Sequence, residues 1–304
     1  MILAVEQVSH SYGERRALRG LSLHSNARDI FGILGPNGGG KSTLFKILST
    51  LLVPDEGHVE VCGFDARKRP HEIRRRIGVV FQSNSLDKNL TVFENLDAQG
   101  HLYGLSGDTL RQRISECLDR LGLRERRHDL VKTLSGGLAR RVEIAKALLH
   151  RPQVVLMDEP STGLDPGARR ELWSFIDGLR NEQGLTVLLT THLLDEAERC
   201  DRLMLIHQGL RVAEGTPEEL KTIIGGEVVE FEAAADAAEL GRALEEKLGV
   251  KARCDDRVVR VEVERAHRFA AEAVEALPGM IAGVRFHKPT LEDVFLYLTG
   301  ARLC

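Results

Sequence analysis

The chain has 304 residues, a length that suggests one large domain with a smaller one, or two domains of similar size. Its content of 42% hydrophobic and 29% charged residues is ordinary for a globular protein, and a formal net charge of −3 gives no electrostatic reason to expect nucleic acid as the main partner. No uncharged apolar run approaches the ~18 residues that a membrane-spanning helix needs, so any work at a membrane requires another polypeptide to cross it.

The first 34 residues alternate short β-type runs with turn signals, and they end in an apolar strand at residues 30–34. The other runs are expected at residues 3–5, 11–13 and 18–23. Tyr12 stands alone in this stretch. An isolated aromatic residue favours packing, and stacking on a nucleotide base is the alternative.

A glycine-rich loop follows this strand and precedes a helical pattern. Its sequence is Gly35-Pro36-Asn37-Gly38-Gly39-Gly40-Lys41-Ser42-Thr43. The spacing G-x-x-x-x-G-K-[ST] predicts that backbone N–H groups close on a polyphosphate, with Lys41 on the β- and γ-phosphates and the Ser42 hydroxyl on Mg²⁺. A glycine-rich turn that matches by chance is the alternative, and the flanking strand and helix argue against it.

Residues 57–82 contain two further strands separated by a basic segment from Arg67 to Arg76. That segment favours a solvated helix face, with phosphate attraction as the alternative. Gln82 follows the apolar run at residues 77–81. It therefore lies at the carboxyl end of a strand, where α/β proteins place groups that touch ligands.

The segment from Thr91 to Val131 changes to helical periodicity. Thr91 with Glu94 is a capping-box pattern that opens one helix, and Asp108 is expected to cap a second. Gly122 is expected to end the second helix. We interpret this segment as a helical insertion within the α/β core.

Three small residues, Ser135, Gly136 and Gly137, open the next helical pattern. A hydroxyl and unpaired N–H groups at a helix start can face an anion. Taken alone, the same residues fit an ordinary helix cap equally well or better.

Two carboxylates, Asp158 and Glu159, follow the apolar strand at residues 154–157. This places them at the carboxyl edge of the sheet, where the first can hold Mg²⁺ and the second can orient or deprotonate water. A strand that merely exits to solvent is the alternative. Asp165 and Pro166 predict the N-cap and first residue of a helix.

His192 ends a further β-type run at residues 185–191. A lone histidine is usually structural, but this one again lies at a strand's carboxyl end. One more strand, at residues 203–206, completes a first unit that is expected to end near Lys221.

The five cysteines are far apart, odd in number and without a C-x-x-C or metal-ligand pattern. They are Cys62, Cys117, Cys200, Cys254 and Cys304. Isolated thiols of this kind fit a reduced cytosolic setting.

Residues 1 to about 221 resemble the ATP-binding cassette (ABC) family of transporter ATPases, with the motifs in the family's order. The matching elements are residues 35–43, Gln82, Leu134-Ser135-Gly136-Gly137, Asp158-Glu159, Ser161-Thr162-Gly163-Leu164-Asp165 and Thr191-His192. The resemblance implies ATP and Mg²⁺ as cofactors and a site in which Tyr12 stacks on adenine and Gln82 touches Mg²⁺ and the attacking water. It also implies that Glu159 is the general base, that His192 steadies the γ-phosphate and that Asp165 links two sites.

The signature departs from the family where Leu138 replaces the usual glutamine and Ala139 replaces a commonly basic residue. Ser135 and Gly137, which would contact phosphate, are intact. In this family the signature of one subunit closes over the nucleotide of the other. Because this chain has only one copy of each motif, the resemblance implies a dimer, which we expect to be a homodimer.

The tail from residue 223 has the pattern of a βαββαβ unit followed by a helix that Pro289, Thr290 and Asp293 open. Its ending, Pro-Thr-Leu-Glu-Asp-Val-Phe-Leu, is similar to that of the multidrug and nodulation-type exporter ATPases. The membrane-spanning partner of those proteins is a separate chain.

The expected fold is therefore α/β, with two domains. A P-loop ATPase core with an antiparallel β subdomain and a helical subdomain at about residues 83–150 occupies residues 1–222, and a small α+β, ferredoxin-like domain occupies residues 223–304. The expected function is ATP hydrolysis for an ABC exporter at the cytoplasmic face of the cell membrane, with a separate permease as partner. A soluble ABC ATPase that acts on DNA or ribosomes is the alternative.

Overall fold

The computed structural model describes residues 1–303, which form two compact units, Met1–Thr216 and Pro217–Leu303. The division falls a few residues before the expected position at 222/223. The reason is that the short helix α8 (Pro217–Lys221) packs against α11 (Leu291–Thr299), the last helix of the second unit.

The thiols of Cys62, Cys117, Cys200 and Cys254 are free in the described part of the chain, whereas Cys304 lies outside the described residues. Among residues 1–303, no helix combines the length and the apolar character that crossing a membrane requires.

A six-stranded sheet forms the centre of the first unit. Its strands are β3 (Ile30–Leu34), β6 (Ile77–Val80), β7 (Val154–Asp158), β8 (Thr186–Thr191), β9 (Arg202–His207) and β10 (Leu210–Gly215). They lie in the order β10-β9-β3-β8-β7-β6, and all neighbours are parallel except β10 and β9. β3, β7 and β8 are buried over their whole length, which explains their continuous apolar runs. The carboxyl ends of β3, β6, β7 and β8 thus meet at one edge.

A four-stranded antiparallel sheet lies beside this centre. Its strands are β1 (Leu3–Tyr12), β2 (Arg15–Ser25), β4 (Glu56–Val61) and β5 (Phe64–Asp65), in the order β2-β1-β4-β5. The short runs expected over residues 3–23 are two long strands, because shifts of register interrupt the pairing of β1 and β2 without ending it. Helix α1 (Lys41–Leu48) packs its apolar side chains into a core that both sheets share.

The helices of the first unit other than α1 are α2 (Pro70–Arg74), α3 (Val92–Leu102), α4 (Gly107–Arg120), α5 (Gly136–Leu148), α6 (Pro166–Gln183) and α7 (Leu194–Ala197), with two 3-10 turns at Arg124–Arg126 and Val131–Thr133. The predicted capping box of α3, formed by Thr91 and Glu94, is present. The prediction that Asp108 caps α4 is wrong. That helix begins two residues earlier than such a cap implies, at Gly107 after the N-cap Ser106, so Asp108 lies within the first turn.

The second unit has a four-stranded antiparallel sheet with helices packed on it. Its strands are β11 (Glu227–Ala233), β12 (Ala252–Asp255), β13 (Val258–Val263) and β14 (Ile281–His287), in the order β12-β13-β11-β14. Helices α9 (Ala237–Leu248) and α10 (Ala266–Ala276) follow β11 and β13 in the chain. They bury Leu240, Leu244 and Ala273 against Phe231 and Val261 of the sheet.

Candidate nucleotide site

The glycine-rich loop connects the end of β3 to the start of α1, as its spacing predicts. Gly40 has φ 110°, and a Cβ atom there would lie 2.8 Å from the Ala17 carbonyl oxygen. Gly35 is equally restricted, because a Cβ atom would lie 2.3 Å from the Ile206 carbonyl oxygen. These positions require glycine since the loop runs against neighbouring backbone.

Lys41 is the first residue of α1, and its side chain is buried within the loop. Its Nζ donates hydrogen bonds to the carbonyl oxygens of Gly35, at 2.7 Å, and Pro36, at 3.2 Å. The same nitrogen lies 3.3 Å from Oε1 of Glu159. The ammonium group is therefore held at the point where the loop faces the end of β7.

Asp158 ends β7 and is buried beside Ser42. Burial raises the pKa of its carboxyl, and the hydrogen bonds that it accepts from Thr190 and Ser42 oppose that rise. A carboxylate and a hydroxyl are oxygen ligands of the type that Mg²⁺ takes, usually together with water and phosphate oxygens. Over residues 1–303, no cluster of three His, Cys, Asp or Glu side chains has the arrangement of a metal site.

The carboxylate of Glu159 is the centre of the site. It accepts hydrogen bonds from Nε2 of Gln82, at 3.0 Å, and Oγ1 of Thr162, at 3.2 Å. Nδ1 of His192 lies 3.3 Å from its Oε1. Gln82, Glu159 and His192 follow β6, β7 and β8, so the parallel strands bring them together as their positions in the sequence predict.

Glu159 also has a left-handed backbone, with φ 45°. Its N–H donates to the carbonyl oxygen and to Oγ1 of Thr190, each at 3.1 Å. A non-glycine residue rarely adopts this conformation, and such strain persists where surrounding contacts fix it. The carboxylate that follows this turn lies 3.3 Å from Nζ of Lys41.

A cavity of about 190 Å³ lies between the loop and these strand ends. Its lining consists of Tyr12, Arg15, Ala17, Pro36, Asn37, Gly38, Gly40, Lys41, Ser42, Thr43, Gln82 and Glu159. Tyr12 is 47% exposed, and its ring meets that of His10 edge to face at 4.9 Å. The tyrosine is therefore not a core residue, and its ring remains accessible at the mouth of the cavity.

No sequence pattern predicts a site role for Arg15 and Ala17, which β2 brings to this cavity. Nη2 of Arg15 lies 3.5 Å from the carbonyl oxygen of Gly38. The available signal was a basic residue three positions after Tyr12, just beyond a turn. That signal is weak, because the pairing of β1 with β2 decides which side the arginine faces.

No sequence pattern predicts Glu196 either, a buried carboxylate on α7. It accepts hydrogen bonds from Thr191, at 2.6 Å, and from the Ser161 hydroxyl. Burial raises the pKa of Glu196, and the bond from Thr191 opposes that rise. Glu196 thereby links Ser161, in the segment after β7, to Thr191, the residue that precedes His192.

Eight of the predicted residues are absent from the cavity lining described above. Gly35, Gly39, Asp158 and His192 belong to the loop or to the strand ends beside it, whereas Ser135, Gly136, Gly137 and Asp165 lie at the starts of α5 and α6. Ser135 is the N-cap of α5, and its hydroxyl accepts from the N–H of Leu138 at 3.4 Å. Asp165 caps α6 through the N–H groups of Gly167 and Ala168. Their local role is thus helix capping, and the exposed Ser135 and Gly136 face away from the chain's own core.

A model of the family described as ABC transporter matches residues 18–162. The daunorubicin resistance ATP-binding protein DrrA3 of Streptomyces coeruleorubidus is 38% identical over 98% of this chain and 96% of its own length. The Nod factor export ATP-binding protein I of Ralstonia nicotianae is 39% identical over 99% of this chain and 95% of its own length.

Solved structures of ABC proteins are also similar to this chain. The ATP-binding cassette MJ0796, in a dimeric post-hydrolysis state bound to ADP and Pi, superposes with a TM-score of 0.65 at 30% identity and covers 71% of this chain and 98% of its own. CbiO1 of Clostridium perfringens, part of the ABC transporter complex cbiONQ, gives a TM-score of 0.68 at 29% identity over 82% of this chain and 96% of its own.

Proposed function

This chain belongs to the ABC transporter family and is an ATPase, and we propose that it powers an exporter whose membrane-spanning part is a separate chain. The near full-length relatives named for daunorubicin resistance and Nod factor export support this direction of transport. The alternative, a soluble ABC ATPase that acts on DNA or ribosomes, is not favoured by these relatives.

The position of the Glu159 carboxylate carries the proposal for the chemistry. It lies against the phosphate loop, 3.3 Å from Nζ of Lys41, and Gln82 donates to it. Glu159 accepts a proton from water while the water oxygen bonds to the γ-phosphorus and the bond from that phosphorus to the ADP oxygen breaks. Gln82 orients the water, and His192 faces the γ-phosphate.

The remaining residues of the cavity hold the nucleotide. The N–H groups of the glycine-rich loop and the ammonium of Lys41 neutralise the phosphates, and the exposed ring of Tyr12 stacks on adenine. The protein's ligands for Mg²⁺ are Ser42, Asp158 and the amide oxygen of Gln82. The metal, when bound, supplies charge neutralisation at the phosphate oxygens.

We propose that two copies of the chain complete each site. Ser135, Gly136, Gly137 and Asp165 are outside the cavity lining of their own chain, which leaves them for the nucleotide of a partner copy. The dimeric state of the cassette MJ0796 supports this arrangement. The helix start at Ser135 provides N–H groups that suit a phosphate.

We further propose that residues 82–132 contact the permease and that the chain works at the cytoplasmic face of the cell membrane. The unit after residue 216 is proposed to be a ferredoxin-like accessory domain. Its support is the strand order β12-β13-β11-β14, which interleaves the two βαβ halves of a βαββαβ unit as that fold does.

Recovery of the partner tests the exporter function. A tagged Glu159→Gln variant, which is expected to hold ATP without hydrolysing it, is purified from gently solubilised native membranes with ATP present. We expect a polytopic membrane protein to copurify, and to be lost when Lys41→Ala is added. Recovery of ribosomes or DNA alone would contradict the proposal.

A further inference from the structure

Helix α5 presents a polar stripe to the segment that follows β6. Arg140, Glu143 and Lys146 are three residues apart, so they lie along one side of the helix. Glu143 accepts hydrogen bonds from the N–H of Ser85, at 2.6 Å, and from its hydroxyl. Lys146 donates to the carbonyl oxygen of Ser85 at 3.1 Å. The helix that begins at the signature thus holds the backbone just beyond Gln82.

Arg140 extends this contact to the edge of the sheet where the carboxyl ends of the parallel strands meet. Its side chain is buried, and its Nε donates to the Pro160 carbonyl oxygen at 2.8 Å. Nη1 donates to the Phe81 carbonyl oxygen at 2.5 Å. Nη2 donates to the carbonyl oxygens of Asp158, at 3.3 Å, and Glu159, at 3.4 Å. One guanidinium therefore holds the residue before Gln82 and the peptide groups on both sides of Glu159.

A buried guanidinium is unfavourable unless acceptors surround it, and here main-chain carbonyl oxygens provide them. Burial lowers the pKa of Arg140, while the negative charges of Glu143, Asp158 and Glu196 raise it. The planar fork of arginine can satisfy several fixed acceptors at once, whereas the lysine ammonium cannot match that geometry.

The strained backbone of Glu159 explains what this contact achieves. Thr190 accepts from its N–H, and Arg140 donates to its carbonyl oxygen, so both sides of the left-handed residue are fixed. Positioning of a general base within a small tolerance is a large part of catalysis, because small displacements cost rate. The side chain of Arg140 bonds the backbone of Glu159, so it acts through that residue.

We infer that Arg140 is a positioning residue that sets the orientation of Glu159 and Gln82 and joins both to the helix that begins at Ser135. This inference rests on the proposed role of Glu159 as general base. Since Ser135 is proposed to meet the nucleotide of the partner copy, Arg140 mechanically connects the two nucleotide sites of the dimer. When the two copies close on ATP, a shift of α5 therefore displaces Glu159 through Arg140.

Steady-state kinetics of Arg140→Lys and Arg140→Met test the inference. We expect kcat to fall about tenfold or more while KM for ATP and the Kd for ADP stay within about threefold, because the phosphate loop is untouched. Arg113→Met is the matched control. It removes a partly buried arginine that donates to the Leu149 carbonyl oxygen at the far end of α5, and kcat is expected to stay within about twofold.

A double-mutant cycle separates this inference from the role of Glu159. If Arg140 acts through the base, Arg140→Lys costs far less additional rate in a Glu159→Gln background than in the wild type. Equal losses in both backgrounds, or wild-type kcat in a folded Arg140→Lys protein, would overturn the inference. Wild-type turnover of Glu159→Gln alone would instead overturn the proposed function. Should Arg140→Met lose ADP binding through misfolding, the Lys variant, which keeps the charge, decides the question.

Discussion

The Glu159 carboxylate lies among four side chains, one of which is the Lys41 ammonium. Gln82 and Thr162 donate hydrogen bonds to it, and Lys41 and His192 lie 3.3 Å away. The same lysine also bonds two carbonyl oxygens of the loop. We expect a bound triphosphate, which would attract the lysine, to change the partners of this carboxylate and to leave it available to water.

Replacement of Lys41 tests the phosphate cradle. Lys41→Ala removes the ammonium group that bonds the carbonyl oxygens of Gly35 and Pro36, so we expect the Kd for ATP to rise at least about tenfold. Calorimetric titration measures the change. Lys46→Ala is the matched control, since Lys46 is exposed on the same helix. Equal affinity of Lys41→Ala and wild type would contradict a phosphate contact.

The residues that the sequence predicts for this site are those with strong local signals. Lys41 is identified by its spacing to glycines, and Glu159 by the apolar strand before it. Arg140 and Thr190 act through contacts with residues distant in the chain, and Arg140 lies in a helix where arginine is unremarkable. Such residues appear only when the packing of strands and helices is known.

At the level of helices and strands, local chemistry predicts the ends well where a side chain caps its own helix. The capping boxes at Thr91 and Thr290 and the cap at Asp165 are all present. Asp108 fails as a cap because Gly107, with φ 59°, lets the chain turn into the helix two residues earlier, with Ser106 as the N-cap. The long strands β1 and β2 were expected as short runs, because shifts of register disturb the alternation of buried and exposed residues.

His150 follows α5 and contacts both the end of α3 and the start of β6. Its ring stacks on Tyr103 at 3.8 Å, and its Nε2 lies 2.9 Å from the carbonyl oxygen of Ile77 at the start of β6. Among the described residues, its buried Nδ1 has no hydrogen-bond partner. Burial accordingly lowers the pKa of His150 to about 4.

This histidine predicts a loss of stability in acid. Between pH about 6.5 and about 4 the unfolded chain protonates His150 and the folded protein does not, so the free energy of unfolding falls as the pH falls, by at most about 3 kcal/mol from this residue. Urea denaturation at pH 7, 5.5 and 4.5 measures it. His150→Phe keeps a ring on Tyr103 and is expected to show a shallower pH dependence.

His128→Gln, which changes an exposed histidine of the same insertion, is the control and is expected to keep the wild-type slope. If His150→Phe and wild type lose stability in parallel, protonation of His150 does not limit folding in acid.

At the scale of the whole molecule, each chain carries one phosphate cradle and one signature, and the two are separate. The cavity beside Lys41 is lined without Ser135, whose exposed hydroxyl caps α5. We expect a second copy to supply what the first lacks, in which case ATP binding and association are coupled. The sequence indicates this only through the count of its motifs, because a partner's surface leaves no periodic pattern.

Ser135→Asp tests the dimer with little disturbance of the fold. Aspartate is as good an N-cap as serine, so α5 should remain intact, while its charge repels the phosphates of a partner's ATP. In sedimentation experiments with ATP and Mg²⁺, we expect Glu159→Gln to be dimeric and the Ser135→Asp, Glu159→Gln double variant to be monomeric, with ATP affinity within about threefold. A dimer that tolerates the aspartate would place the signature away from the nucleotide.

The role of Glu159 is tested most directly by phosphate release at saturating ATP and Mg²⁺, measured for the wild type and Glu159→Gln beside the ATP affinity of each. Glutamine keeps the shape of the side chain but cannot take the proton from water. We therefore predict that turnover falls about 100-fold or more while the Kd for ATP stays within about threefold. Wild-type turnover in the variant would show that another group is the base and would contradict the site as described.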